Sequence, residues 1–135
     1  MKVKPKYVPT EGEEQATLLN WCAMNYGRFP ELTLLFHIPN GGKRSKSEAA
    51  RFKSEGVKSG VPDLCLPVAR GLYHGLYIEM KRPAGGVVSD EQKFWIAQLR
   101  DQGYAATVCR GWKAAAEVLE NYLSLSKGVY ENGED

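Results

Sequence analysis

The apolar residues of this chain recur at two spacings, one typical of amphipathic helices and one typical of buried strands. Leu18, Cys22 and Tyr26 illustrate the first, because they lie four residues apart on one face of a helix. The pattern predicts four helices, over about residues 10–26, 47–57, 89–102 and 112–123. Short apolar runs between them predict four strands, over about residues 32–38, 63–68, 76–81 and 105–109.

Polar residues at the predicted helix starts support these boundaries. Thr10 with Glu13, and Ser89 with Gln92, have the spacing of a capping box, in which the two side chains bind backbone N–H groups of the first turn. Ser47 is the predicted N-cap of the second helix. Three of the four helices therefore have a defined start.

The predicted elements alternate along the chain except at one hairpin. Their order is α-β-α-β-β-α-β-α, and the turn-rich segment 69–75 joins the second and third strands. This order favours an α/β domain in which helices flank a mixed four-stranded sheet on both faces. We expect one domain over residues 1–135, with its core at about 10–125 and a frayed tail at 126–135.

Composition narrows the class of protein without identifying it. Of the 135 residues, 43% are hydrophobic and 25% are charged, as in ordinary soluble domains. No apolar run approaches the ~20 residues that cross a bilayer, and the N-terminal segment lacks the apolar stretch of a signal peptide. We therefore expect a cytoplasmic protein with no membrane partner. The three cysteines form no C-x-x-C pair, and we expect buried free thiols.

Positive charge is concentrated in one segment, although the net charge is only +2. Six basic residues lie between positions 43 and 58, against two glutamates. Two interpretations stay open, a phosphate-binding surface and a solvated helix face. The Gly-Gly pair at 41–42 would let the backbone approach a phosphate closely. The candidate phosphate contacts of this segment are Asn40, Lys43, Arg44, Lys46 and Lys58.

Three residues on two neighbouring predicted strands could form a catalytic site. Asp63 begins the second strand, whereas Glu79 and Lys81 lie two apart in the third and so point to one face. If these strands pair, Asp63 comes alongside Glu79. Carboxylate oxygens are ligands that Mg²⁺ prefers, and bound Mg²⁺ neutralises phosphate charge and lowers the pKa of water. The alternative interpretation is a surface Glu–Lys ion pair, which is common and contributes little.

Several short motifs occur in a fixed order around these residues. They are H-I-P-N-G-G at 37–42, G-V-P-D-L at 60–64, Y-I-E-M-K at 77–81 and S-x-E-Q at 89–92. As a set they resemble the VRR-NUC family of the PD-(D/E)xK nuclease superfamily, in its short stand-alone phage or bacterial form. The resemblance covers about residues 13–123. It implies a restriction-endonuclease-like fold and a DNA-cleaving enzyme that uses Mg²⁺ or Mn²⁺.

The same resemblance implies roles for individual residues. Asp63 and Glu79 would bind the metal, with the Met80 carbonyl as a third ligand, and Lys81 would be the catalytic lysine. Gln92 would be an accessory site residue, although its capping position explains its presence equally well. The resemblance also implies a carboxylate contributed by the first helix.

Helix geometry selects Glu14 as that carboxylate. Successive helix residues turn by ~100°, so Glu14 lies at the edge of the stripe formed by Leu18, Cys22 and Tyr26. Glu13 points to the opposite side and is left for capping. We therefore predict that Glu14 joins the catalytic and metal site.

The two histidines are weaker candidates. His37 could act as a base, but its place in an apolar strand beside a loop favours a structurally satisfied histidine. His74 lies in the predicted hairpin turn, and we expect it to be exposed and inert.

Two classes of function remain at this stage. The first is a structure-selective DNA endonuclease acting on branched DNA such as a Holliday junction, because the stand-alone members of the family resemble junction resolvases. Paired cuts in a two-fold symmetric junction would need a homodimer, and the apolar last helix could supply an interface. The second is a nucleic-acid-binding module that does not cleave. A small organic cofactor is not expected, since the chain has no G-x-G-x-x-G loop.

Overall fold

The computed structural model describes residues 7–39 and 45–127. This part of the chain forms an α/β domain with four strands and four α-helices, which confirms the predicted class. The strands are β1 (Phe36–His37), β2 (Leu64–Leu66), β3 (Leu76–Lys81) and β4 (Ala105–Arg110). The helices are α1 (Glu11–Met24), α2 (Lys46–Ser54), α3 (Asp90–Asp101) and α4 (Trp112–Leu123).

The strands form one mixed sheet in the order β1-β2-β3-β4. β1, β2 and β3 are antiparallel neighbours, whereas β3 and β4 are parallel. A parallel pair needs a crossover connection, and α3 provides it. The predicted hairpin between β2 and β3 is present, with Leu64 opposite Ile78.

Side chains of β3 alternate between two helical layers. Ile78 and Met80 are buried in the larger core beneath α1 and α4. Tyr77 packs in the smaller core beneath α3, and Glu79 points to the same side. The strand therefore carries its charged residues on the α3 face, at the end where it leaves the sheet.

The first predicted strand is wrong over most of its length. Residues Pro30–Leu34 form a 3₁₀ helix, and only Phe36–His37 form a strand. Proline at the first position favours a helical turn because its φ is already fixed. A single leucine of this helix, Leu32, is buried while Leu34 stays half-exposed, so the apolar run does not reflect a buried strand.

The helix starts agree with the sequence except at α2. Both capping boxes are formed, at Thr10 and at Ser89. The N-cap of α2 is Ser45 rather than Ser47, because the Ser45 hydroxyl accepts a hydrogen bond from the Glu48 N–H.

Two further expectations can be compared with the structure. All three cysteines are buried and free, as predicted. Within residues 7–39 and 45–127, no helix has the length and apolar character needed to cross a membrane.

Candidate active site and metal centre

Asp63 is fixed where β2 begins, opposite the end of β3. Its Oδ2 accepts a hydrogen bond from the Met80 N–H at 2.7 Å. Its backbone carbonyl accepts two more, from the Ile38 N–H at 2.7 Å and from His37 Nδ1 at 2.9 Å. The backbone and one carboxylate oxygen are therefore held by neighbouring strands, as the hairpin prediction required.

Glu79 is an almost fully buried carboxyl, with only 2% of its surface exposed. Its Oε2 accepts a hydrogen bond from Gln92 Nε2 at 3.1 Å and lies 3.5 Å from Lys81 Nζ. Burial and the adjacent charge of Asp63 raise the pKa of Glu79 to about 8, and Lys81 opposes this shift only in part. Without a bound cation, this carboxyl holds its proton at neutral pH.

Lys81 is also buried, which is unusual for a lysine. Its Nζ lies between two carboxylates, 3.5 Å from Glu79 Oε2 and 3.9 Å from Glu11 Oε1. A solvated surface ion pair is therefore the wrong interpretation of the E-x-K motif. The side chains of Glu79 and Lys81 lie inside the protein.

The side chain of Gln92 makes two hydrogen bonds, one to the cap of α3 and one to the buried carboxyl. Its Oε1 accepts from the Ser89 N–H at 2.9 Å, which completes the capping box of α3. Its Nε2 donates to Glu79, so the first turn of α3 is tied to the buried carboxyl.

Glu14 does not occupy the predicted position. Its side chain is buried, as the helix phase implied, but Oε2 accepts a hydrogen bond from the Trp112 N–H at 3.0 Å. The N-cap of α4 is Gly111, which has no side chain to cap with. Glu14 therefore supplies the missing cap, and the structure brings it to the start of α4 rather than to Asp63 and Glu79.

Three residues of α1 reach the site: Glu11, Gly12 and Gln15. They line a cleft of about 410 Å³ together with His37, Asp63 and Met80. Glu11 lies three residues before Glu14, about 60° away on the helix. The apolar stripe indicated the correct side of α1. Which turn of α1 faces the cleft depends on how the helix packs against the sheet.

His37 also lines this cleft, and its side chain is exposed rather than buried. A carbonyl oxygen only accepts, so Nδ1 must carry the hydrogen of the bond to Asp63. His37 is therefore hydrogen-bonded, as expected. It lies at the site, however, and its partner is Asp63.

The oxygen donors at this position fit a hard divalent cation. The Met80 N–H points towards Asp63, and the carbonyl of a strand residue points to the same edge as its N–H. Asp63, Glu79 and the Met80 carbonyl thus face one region. Among the described residues, no three His, Cys, Asp or Glu side chains converge on one point. A set of two carboxylates and a carbonyl suits Mg²⁺, which keeps several waters.

The predicted phosphate contacts are only partly covered by the structure. Lys46 and Lys58 are exposed, at the start of α2 and in the segment that follows it. Asn40, Lys43 and Arg44 lie outside the described residues.

The fold is an α/β domain with a buried acid–lysine cluster, and comparison with known proteins identifies its family. A model of the VRR-NUC domain matches residues 9–113. A solved structure described as "VRR_NUC domain protein" is 35% identical, with a TM-score of 0.78 over 90% of this chain and 94% of that chain. No curated protein sequence matches. The chain belongs to the VRR-NUC family, which makes it a nuclease with DNA as its substrate.

Proposed function

We propose that this protein is a metal-dependent DNA endonuclease that hydrolyses phosphodiester bonds in branched DNA. One observation carries the proposal: Asp63, Glu79 and Lys81 converge at the end of β3, beside a cleft. Binding to DNA alone requires no buried acids, because a carboxylate repels phosphate and is costly to bury. The alternative of a non-cleaving DNA-binding module therefore leaves this cluster unexplained.

The side chains of the cluster have separate tasks in this proposal. Asp63, Glu79 and the Met80 carbonyl would hold Mg²⁺ or Mn²⁺. The cation would neutralise phosphate charge and lower the pKa of a bound water. Lys81 then stabilises charge that develops on the phosphate, or orients the attacking water.

Gln92 and the Met80 N–H keep the carboxylates in place. The amide of Gln92 holds one oxygen of Glu79, and the Met80 N–H holds one oxygen of Asp63. The other oxygen of each carboxylate would bind the cation, so the geometry of the site would not depend on exposed, mobile side chains.

We further propose that the substrate is a branched DNA such as a Holliday junction and that the enzyme acts as a homodimer. The described residues of one chain hold one such cluster, and a two-fold symmetric junction needs two cuts. A C₂ dimer places two identical sites in the symmetry of that substrate. The proposal extends the family resemblance, since stand-alone members resemble junction resolvases.

Cleavage assays test the proposal directly. Supercoiled plasmid and a panel of labelled flap, junction, single-stranded and linear DNAs are incubated with Mg²⁺, Mn²⁺ or EDTA. We expect cleavage only with metal, strongest on branched DNA, and none for Glu79→Ala or Lys81→Ala. Glu13→Gln is the matched control, because Glu13 caps α1 and accepts from the Tyr7 hydroxyl, and neither contact involves the cluster. Near-normal cleavage by Glu79→Ala in Mg²⁺ would overturn the mechanism.

A further inference from the structure

Helix α2 differs from the other helices because it has almost no protein beneath it. No residue of α2 is buried, and only Phe52 is half-buried. By contrast, α1, α3 and α4 each bury residues against the sheet or one another. A nine-residue helix is marginal in water unless another surface covers it. Within the described ranges, that surface is missing.

The described segments that flank α2 in the sequence both lie near the cleft. In the sequence α2 follows β1 and precedes β2. These two strands are joined near the cleft by the hydrogen bond from the Ile38 N–H to the Asp63 carbonyl. Pro39, before the helix, lines the cleft. After the helix, Gly60 meets the backbone of Glu91 in the first turn of α3, so closely that a Cβ there would lie 2.6 Å away. The described residues before and after α2 therefore lie beside the proposed active site.

The two sides of α2 differ in their charged residues. At ~100° per residue, Glu48 and Glu55 fall on the side of Phe52. These acids have local partners: Glu48 accepts from the Ser45 hydroxyl, and Glu55 Oε1 lies 3.8 Å from Arg51 Nε. The side away from Phe52 has no acid at all.

One flank of α2, about 60–160° from Phe52, carries two exposed lysines, Lys46 and Lys53, with two exposed alanines, Ala49 and Ala50, between them, and we call it the outward face. The lysines lie seven residues, about 10 Å, apart. In the part of the chain that the structure describes, neither forms an ion pair.

We propose that α2 is a docking helix for duplex DNA, whose outward face contacts the sugar–phosphate backbone next to the scissile bond. This inference rests on the proposed nuclease function. Phosphates complement Lys46 and Lys53, and the small side chains of Ala49 and Ala50 let the DNA backbone approach the helix. Such contacts position the substrate without reading its sequence. A face of two lysines and two methyl groups is a poor protein interface, since lysine is depleted there.

A binding titration with charge-matched variants tests the role of the face. Fluorescence anisotropy of a short labelled duplex in EDTA excludes cleavage. Lys46→Gln/Lys53→Gln is compared with Arg28→Gln/Lys127→Gln, which removes two charges at the opposite end of the sheet. We expect about tenfold weaker binding for the first variant and a salt slope shallower by about 2, because two phosphate contacts are lost. The control should bind as the wild type does.

Amide hydrogen exchange measures directly whether DNA covers α2. A general change in protein charge would not alter this exchange. Residues 46–54 should exchange rapidly in the free protein and become protected when duplex is added. The strands should be protected in both states. Circular dichroism of Lys46→Gln/Lys53→Gln should match that of the wild type.

Each outcome is decisive. Wild-type affinity of Lys46→Gln/Lys53→Gln, or unchanged exchange of α2 on DNA, would overturn the docking role even if the protein still cleaves DNA. Protection of α2 by protein alone at rising concentration would show that a second copy covers it, and would also overturn the proposal. A wild type that neither binds nor cleaves any DNA would contradict the proposed function itself.

Discussion

At the scale of single residues, the buried carboxyl of Glu79 dominates the energetics of the site. It lies beside Asp63 in a region from which water is largely excluded, and no solvent compensates a negative charge there. The pKa of Glu79 is therefore raised from 4.5 to about 8. A proton or a cation must neutralise it, and this requirement has a measurable effect on stability.

Stability of the metal-free protein should fall as pH rises from ~5 to ~8. In this range the unfolded chain releases the Glu79 proton while the folded chain keeps it, so rising pH favours unfolding. Urea denaturation in EDTA measures the effect. Glu79→Gln should remove most of this slope and be the more stable protein at the upper end. A wild-type slope of the opposite sign would contradict the assigned pKa.

Substitution of Glu11 should reduce mainly activity, whereas substitution of Glu14 should reduce mainly stability. Glu11→Gln removes the second carboxylate near Lys81 in the cleft, and we expect cleavage to fall by about 10–100-fold with little change in stability. Glu14→Ala leaves the Trp112 N–H without its partner, and we expect a loss of about 1–3 kcal/mol. Its cleavage rate below the melting temperature should stay near the wild-type value. The reverse assignment of effects would restore Glu14 to the metal site.

At the scale of secondary-structure elements, α3 links folding to the site through its first turn. Gln92 caps the helix with one end of its amide and holds Glu79 with the other. Ser89 contributes to the cap alone. The two residues therefore allow capping to be separated from support of the carboxylate.

Ser89→Ala and Gln92→Ala should destabilise the protein to a similar degree, by about 1 kcal/mol, because each opens the capping box. Only Gln92→Ala should reduce cleavage, by about 10–100-fold, and raise the Mg²⁺ concentration needed for half-maximal rate. Thermal melts and metal titrations of the two variants make the comparison. Equal loss of activity in both would mean that Gln92 acts only as a cap.

At the scale of the whole molecule, the open question is assembly. The apolar residues of α4 that could have formed an interface are used within the chain: Leu119, Tyr122 and Leu123 are buried, and Trp112 and Val118 pack against the same core. In the structure α4 packs against the core of its own domain. Any dimer must therefore use another surface.

Light scattering at micromolar concentration, with and without a DNA junction, tests the homodimer. We expect twice the chain mass in at least the DNA-bound state, with symmetric cuts in opposite strands. A strict monomer that still cuts junctions symmetrically would contradict the symmetry argument.

The sequence by itself determined the features that depend on near neighbours. The capping boxes at Thr10 and Ser89, the bounds of β3 and the pairing of Asp63 with Glu79 across a hairpin all follow from spacing along the chain. Period-two alternation placed Glu79 and Lys81 on one face, and their burial follows from the sheet being covered on both sides.

Only the tertiary structure decided which distant groups meet. Glu11 and Glu14 differ by less than a quarter turn, so helix phase cannot separate them, yet one faces the cleft and the other caps α4 98 residues away. The length of the first predicted strand could not be derived from the sequence either. An apolar run does not reveal how many of its residues pair with a neighbouring strand. Phe36 and His37 pair with β2, and the residues before them form a 3₁₀ turn instead. Local spacing fixes which side of an element is buried, whereas the partner of each side chain depends on packing between elements.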